Sequence, residues 1–292
     1  MINSLRLMST PKYRIYPSVL DKFQKFLDSD LVAEEFWNKD SEGDYKLSPE
    51  EMSAQLEQEL LDCINRVPHD PSEAADKGTA FNEVIDCIIE NHPCEREDME
   101  IYSSNSFRVV EAYGVIDDPS TYDVDFHDEC KPNIHVKFNG WDFYYDTFLC
   151  RNMAHYFKGC IPQYTCSAIL PTIYGDVELY GHVDYINTNK IHDLKTTKNY
   201  TFGNYEKYWQ RHLYPYCLIE SGEMQEVTEF EFTVVKWKER KNEPISGEMY
   251  KEAYTYSHEA SSKALKGICE SFIEWLEANR DKITDKKIFA EE

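Results

Sequence analysis

Two segments of alternating polar and apolar residues, separated by a short turn, constrain the fold of this chain most strongly. Residues 178–186 (ELYGHVDYI) and 190–197 (KIHDLKTT) both alternate, and the intervening Asn187, Thr188 and Asn189 are turn formers. Alternation with a period of two is typical of a half-buried strand. The two segments therefore predict a β-hairpin.

The polar residues of this hairpin fall in a chemically suggestive order. Because side chains alternate between the faces of a strand, Asp193 and Lys195 are predicted to point the same way, while Leu194 points into the core. A tight hairpin then places Asp184 beside Asp193. Two carboxylates held close together repel each other, and a hard divalent cation such as Mg²⁺, which prefers oxygen ligands, relieves that repulsion. Lys195 is suitably placed to orient or deprotonate a water on such an ion.

The segment after the hairpin, residues 202–222, predicts a helix. A helix would place Gln210 and Tyr214 one turn apart on the same face. The stretch as a whole thus contains three short motifs in the order strand, strand, helix: a GxxD at Gly181 and Asp184, a DxK at Asp193 and Lys195, and a QxxxY at Gln210 and Tyr214. A lone DxK is commonly a surface ion pair, but the ordered set is far more specific.

These motifs resemble those of the PD-(D/E)XK nuclease superfamily, in particular its RecB-like exonuclease branch of phage or bacterial type. The resemblance implies an α/β fold with a restriction-endonuclease-like core, in which a central mixed sheet is flanked by helices. It also implies that Mg²⁺ (or Mn²⁺) is held by Asp184, Asp193 and the carbonyl of Leu194. Lys195 would then position the attacking water, and Gln210 and Tyr214 would contact nucleic acid or steady the strand of Lys195.

A second part of the family pattern lies further towards the N-terminus. The residues after Asp76 predict a helix whose buried side carries Phe81, Val84, Ile85 and Ile88. The RecB-like pattern has Gly, then His, then an acid at steps of four, and Gly78, Asn82 and Asp86 match that spacing. Asp86 would help to hold a second ion, with Asn82 in the place of the usual His, although an amide oxygen is a weaker ligand for a transition metal. The alternative for Asp86 and Glu90 is a solvated helix face.

The remaining segments predict how the chain is organised. Residues 1–75 are expected to form a helical N-terminal region, with one helix after Ser18 and another after Ser48, where Glu51 completes a capping box. Residues 76–292 are expected to form the nuclease domain, with an insertion over 93–140 and a C-terminal helix over 257–283.

Two further segments of that domain have patterns that predict secondary structure. Residues 143–157 predict a helix, and residues 229–240 predict a strand. The strand and its end carry the densest basic patch of the chain: Lys236, Lys238, Arg240 and Lys241. This patch either binds along the phosphate backbone of nucleic acid or protects an edge strand from aggregation.

Charge and composition limit the classes of function. The formal net charge of −23 opposes binding to DNA, but residues 1–130 hold 11 Lys and Arg against 30 Asp and Glu, whereas residues 131–292 hold 20 against 24. Metal ions would cancel the acids of the site itself. No apolar run is long enough to span a membrane and no secretory signal opens the chain, so we expect a cytoplasmic protein without a membrane partner.

The cysteines favour a reducing compartment, because the nine of them are an odd number and contain no CxxC. Only Cys217 and Cys269 follow the QxxxY helix, so we predict no iron–sulfur cluster of the kind that some RecB-like nucleases carry. His127 with Cys130, and His92 with Cys94, each offer half of a zinc site. No second pair completes four ligands, and we interpret them as ordinary loop residues.

The sequence thus predicts a metal-dependent DNA nuclease, an exonuclease of recombination or repair acting on linear DNA or single-stranded ends, with a recombination protein as a further expected partner. A non-catalytic relative that binds nucleic acid or protein is the alternative. Asn82 and the acidic N-terminal half favour that alternative, whereas the intact Asp184, Asp193, Lys195 and Gln210 oppose it. An acidic mimic of DNA would need its negative charge spread along the whole chain, whereas here that charge is concentrated in residues 1–130. The absence of a P-loop excludes an ATP-driven helicase.

Overall fold

A computed structural model of the chain describes residues 10–29, 46–68, 71–113 and 123–291, with side chains outside 105–131. The helices are α1 (Pro17–Leu27), α2 (Pro49–Ile64), α3 (Glu73–Glu90), α4 (Thr147–Tyr156), α5 (Gln210–Glu220) and α6 (His258–Ala278). The strands are β1 (Tyr13–Ile15), β2 (Met99–Tyr113), β3 (Asp123–Phe138), β4 (Trp141–Asp146), β5 (Ile161–Thr172), β6 (Gly175–Ile186), β7 (Lys190–Thr197), β8 (Glu229–Lys238) and β9 (Ser246–Thr255).

The main sheet is mixed and is built around the predicted hairpin. Strands β5, β6 and β7 follow one another in antiparallel pairs. Helix α5 then crosses over, so that β8 lies parallel to β7, and β9 pairs with β8 in the antiparallel direction. The short β1 lies parallel to the start of β6. The coarse prediction, an α/β fold with a mixed sheet flanked by helices, is confirmed.

Helices cover both faces of this sheet because each face is apolar. On one face α1, α2, α5 and α6 pack around a core that includes Phe23, Leu60, Leu213 and Phe272. On the other face α3 and α4 pack around Phe81, Tyr185 and Trp237. Within the described ranges, no helix combines the length and the apolar character that a membrane crossing requires.

The residues predicted as an insertion form most of a second sheet, β2–β3–β4, in antiparallel order. Its β4 covers part of the segment that was predicted as a helix from Phe143, and that prediction is wrong over its first four residues. The helix begins only at Thr147, where the Asp146 side chain accepts a hydrogen bond of 2.8 Å from the Leu149 N–H. The Ile245 N–H donates to the Tyr144 carbonyl at 2.6 Å, which ties this sheet to the segment before β9.

Several predicted helix ends also need correction. Helix α1 begins at Pro17 rather than after Ser18, and α3 begins at Glu73 rather than after Asp76. Residues 202–209 form turns, so α5 is shorter than predicted, and α6 ends at Ala278 rather than at 283. The capping box of Ser48 and Glu51 is confirmed. The predicted helical region at the N-terminus also supplies a strand, β1, to the main sheet.

The basic patch lies at the end of an interior strand. Since β8 is paired with β7 on one side and β9 on the other, the alternative of a protective edge strand is wrong. Lys238 is 2.5 Å from Glu248, and Arg240 is 3.7 Å from Glu243. These acids partly neutralise the positive charge of the patch, which disfavours binding of a phosphate backbone there.

Candidate metal centre

The candidate site lies at a fork in the main sheet. Strand β6 pairs with β1 through Val177–Leu179 and with β7 only through Tyr185 and Ile186. Beyond His192, β7 diverges from β6 and continues beside β8. Asp184 on β6 and Asp193 on β7 therefore stand on the two sides of the opening. The sequence places acidic residues where regular strand pairing stops.

The backbone opposite Asp184 is irregular. The β5–β6 ladder pairs Pro162 with Tyr185 and Tyr164 with Val183, and the intervening Gln163 has a φ of 49°. A residue other than glycine is strained in this left-handed region, and such strain concentrates at functional sites. The alternation of faces also changes here, because Val183 packs in one core and Tyr185 in the other. The irregularity directs Asp184 into the fork.

Asp184 approaches β7 as the hairpin prediction required. Its Oδ2 accepts a hydrogen bond of 2.7 Å from the Leu194 N–H. Burial, followed by the charge of the Asp193 carboxylate, raises the pKa of Asp184 to about 8. Burial also raises the pKa of Asp193, which is 1% exposed. The Asp193 carboxylate thus opposes the ionisation of Asp184, as their predicted proximity implied.

Lys195 compensates part of this negative charge. Its Nζ lies 2.6 Å from Oδ2 of Asp193 and donates a hydrogen bond of 2.9 Å to Oε1 of Gln210. Burial disfavours the ammonium ion, but the carboxylates of Asp193 and Asp184 outweigh it and raise the pKa of Lys195. The side chain remains 24% exposed. Lys195 is therefore a charged group that a substrate can reach.

Gln210 connects the strand residues to α5. It is the first residue of that helix, and its Nε2 donates to Oδ1 of Asp193 at 2.7 Å and to the Tyr214 hydroxyl at 3.3 Å. Together with its bond from Lys195, this makes Gln210 a bridge between the lysine and the carboxylate. These contacts hold the start of α5 against the strand that carries Asp193 and Lys195. Tyr214 is buried, so its ring serves packing.

The glycines of the motifs have a steric explanation. A Cβ on Gly181 would lie 2.5 Å from Cε1 of Tyr214, so only glycine lets the helix seat that ring against β6. A Cβ on Gly78 would lie 2.7 Å from Oγ1 of Thr196, so glycine also allows α3 to approach β7. The first contact joins the GxxD and QxxxY motifs, which are far apart in the sequence.

The helix residue Asp86 approaches the fork from the face of the sheet opposite to α5, and Asn82 lies one turn before it on α3. Asp86 accepts hydrogen bonds from the Tyr185 hydroxyl at 2.6 Å and from Gln163 Nε2 at 3.0 Å. Burial raises the pKa of Asp86 to about 6, against the effect of these two bonds. A solvated face is therefore wrong for Asp86 but holds for Glu90, which is exposed. In the described part of the chain, Oδ1 of Asn82 is buried without a hydrogen-bond partner.

Three further residues at the site have no local signal in the sequence. Gln163 and Tyr185 connect Asp86 to the strands, and their role depends on the irregular backbone at the fork. Asp21 of α1 accepts a hydrogen bond of 2.8 Å from the Trp209 N–H, directly before α5. Burial raises its pKa to about 6, an effect that Lys195 opposes. Only the tertiary fold brings a helix so distant in sequence to this point.

The donor set fits a hard divalent cation. Asp184 and Asp193 offer carboxylate oxygens that repel each other when no cation is present. The buried Oδ1 of Asn82 is an additional oxygen without a partner among the described residues. Mg²⁺ prefers oxygen ligands of these kinds and retains several waters. Comparison of the chain with protein-family models and with curated proteins gave no match.

Proposed function

We propose that this chain is a metal-dependent nuclease that hydrolyses phosphodiester bonds of DNA, with the PD-(D/E)XK type of core found in RecB-like exonucleases. The observation that supports this most is the cluster at the fork. Two mutually repelling carboxylates and a charged lysine share one opening of the sheet, and a glutamine orients the lysine. A purely structural ion pair would not need the second carboxylate.

Each residue at the fork has a defined part in such a reaction. Asp184, Asp193 and the Leu194 carbonyl would hold Mg²⁺ or Mn²⁺, which when bound activates water and neutralises charge on the phosphate. Lys195 carries its charge at a partly exposed position, where Nζ can donate a hydrogen bond to the attacking water or to a phosphate oxygen. Gln210 restricts the lysine to that position. Asp86 and Asn82 would support a second ion.

The turns before α5 favour a substrate with unpaired bases. Phe202 is 75% exposed and Tyr208 is partly exposed, and Nζ of Lys195 lies 5.8 Å from the Tyr208 ring centroid. The Tyr208 ring beside the lysine, and the exposed Phe202 in the same turns, can stack on the bases of a single strand. We therefore propose linear DNA with accessible ends as the substrate, consistent with an exonuclease of recombination or repair.

A non-catalytic binding protein is the second candidate. Nζ of Lys195 is already engaged by Asp193 and Gln210, and Asn82 replaces the histidine of the related pattern. A protein of this kind would bind DNA and metal at the fork but would not cleave.

Cleavage assays with end-labelled linear DNA and closed circular DNA separate the two candidates. We expect the linear substrate to be degraded with Mg²⁺ or Mn²⁺ and to remain intact with EDTA, since the carboxylates need a cation to approach a phosphate. DNA binding without cleavage in either ion would support the binding protein. Cleavage that persists unchanged in EDTA would contradict both the metal assignment and the proposed nuclease.

A further inference from the structure

A second group of metal-ligand side chains lies outside the fork. Glu83 and Cys87 are one turn apart on α3, and Cys94 follows shortly after that helix. The helix ends at Glu90, and the following Asn91 has a left-handed φ of 51° that turns the chain back. As a result Cys94 returns to the face of the helix that carries Cys87. The donor atoms of all three side chains lie within 4.8 Å of one another.

The distances in this group match the edges of a zinc tetrahedron. Sγ of Cys94 lies 3.5 Å from Oε1 of Glu83, and Sγ of Cys87 lies 3.8 Å from the same oxygen. With Zn–S bonds of about 2.3 Å and Zn–O bonds of about 2.0 to 2.2 Å, ligand atoms of a tetrahedral site are about 3.5 to 3.8 Å apart. Small movements of side chains would therefore suffice to bind an ion.

The ligand types select the metal. Two thiolates and a carboxylate suit Zn²⁺, whereas Mg²⁺ takes oxygen ligands and does not favour sulfur. The geometry points to a Zn²⁺ site formed by Glu83, Cys87 and Cys94, separate from the proposed nuclease centre. On binding, the two thiols release two protons to the solvent and the zinc–sulfur bonds replace their S–H bonds, so charge and atoms balance.

The fourth ligand position faces a cavity. A cavity of about 460 Å³ is lined by Cys87, Cys94, His92 and Arg151, among others. Nδ1 of His92 is 2.7 Å from the Pro93 carbonyl and Nε2 is 3.4 Å from Glu95, so both ring nitrogens already have partners. Zinc would therefore complete its tetrahedron with water or a small anionic ligand from the cavity, as in sites that retain an open position.

Such a site would connect two parts of the fold. Zinc would link the last turns of α3 to the segment that enters β2. Asp86 lies on the same turns but is bonded to Tyr185 and Gln163, away from the sulfur atoms. The ion would thereby restrain the helix that carries Asp86 without entering the fork. This inference does not depend on the proposed nuclease activity.

Metal titration of the reduced, EDTA-stripped full chain tests the site. Beside the ions that oxygen ligands hold at the fork, we expect one further Zn²⁺ per chain, and with Co²⁺ in its place we expect the sulfur-to-cobalt charge-transfer absorption of a two-thiolate site. Cys87→Ser and Cys94→Ser should each weaken Zn²⁺ binding at least about 100-fold, and Glu83→Gln about 10-fold. Cys63→Ser is the matched control, because Cys63 is also half-buried but lies against Tyr16, and it should leave the affinity unchanged.

Each contrary outcome overturns the proposal. The wild-type cobalt spectrum is decisive even if a variant does not fold, since a spectrum without the sulfur band excludes thiolate ligation. Zinc affinity that is the same in Cys87→Ser as in the wild type would place the ion elsewhere. A Cys87–Cys94 disulfide in the untreated protein, together with no zinc binding after reduction, would assign the pair to redox chemistry instead.

Discussion

Asp184 is the residue whose environment is hardest to explain by folding alone. Its carboxylate lies in a largely buried fork beside a second carboxylate, and its pKa is raised to about 8 by burial first and by Asp193 second. The folded chain therefore holds a proton there that the unfolded chain, with an ordinary pKa near 3.8, releases at neutral pH. Stability that depends on Asp184 is highest at low pH and declines as the pH rises from about 4 to about 8.

Replacement of Asp184 by Asn should therefore stabilise the metal-free protein. Asn keeps an oxygen that can accept the Leu194 N–H but carries no charge. At pH 8 in EDTA we expect the free energy of unfolding, measured with urea, to rise by about 1 to 3 kcal/mol, and the gain to vanish near pH 4. Asp193→Asn is the control, because it leaves Lys195 without its carboxylate and should give no such gain. A loss of stability in Asp184→Asn at pH 8 would contradict the assigned repulsion.

Gly181 tests whether the GxxD and QxxxY motifs are joined by packing. Gly181→Ala places a methyl group against Tyr214 and should lower the free energy of unfolding by about 1 to 3 kcal/mol, with a matching loss of cleavage. Tyr214→Leu in the same chain should restore part of the stability. Gly267→Ala, in α6 with nothing within 4 Å of its Cβ, is the matched control and should stabilise by about 0.5 to 1 kcal/mol. Equal effects at both glycines would refute the contact.

At the scale of elements, α5 is held by polar contacts as well as by its apolar core. His212 lies between α5 and α6, with Nδ1 2.9 Å from Oγ of Ser261. Burial, and then the nearby Arg211, lower the pKa of His212 to about 4. Between pH 4 and 6.5 the unfolded chain binds a proton that the folded chain does not. The contribution of His212 to stability is therefore complete above pH 6.5 and is lost as the pH falls towards 4.

The pH dependence can be assigned with His212→Gln, which keeps a hydrogen-bonding group without the titration. We expect wild-type stability to fall relative to this variant by up to about 1.4 kcal/mol per pH unit between 6.5 and 4. Asp21 and Asp86 titrate near pH 6 with the opposite sign, so only the difference between the two proteins isolates His212. Parallel stability curves for the two proteins would show that His212 does not titrate as described.

The sequence predicted secondary structure well where apolar residues recur with the period of a strand or a helix. It predicted poorly where tertiary contacts determine the local structure. The hairpin of β6 and β7 and the helix of Asp86 followed from their periodicity. The helix prediction from Phe143 was wrong over its first four residues because their aromatic side chains suit either a strand or a helix. Pairing with β3 makes these residues a strand. The strained Gln163 and the contact of Asp21 with α5 depend on residues distant in the chain, which no local pattern reveals.

At the scale of the whole molecule, the fork collects residues from both helical layers. Gln210 reaches it from the face covered by α5, and Asp86 reaches it from the face covered by α3. The mixed sheet between them holds Asp184, Asp193 and Lys195 on adjacent strands. The site thus depends on the complete sandwich of sheet and helices. The strands that carry Asp184, Asp193 and Lys195 pack against both hydrophobic cores, one on each face of the sheet.

The most direct test of the account is the cleavage rate of Lys195→Ala at saturating Mg²⁺, measured together with its Mg²⁺ affinity and its unfolding curve. The lysine is proposed to act on water or phosphate rather than to build the fold. We therefore predict a loss of at least about 100-fold in rate, with metal binding retained. Lys263→Ala, an exposed lysine of α6, should cleave like the wild type. Undiminished cleavage by folded, metal-loaded Lys195→Ala would contradict the central claim that the fork is a nuclease active site.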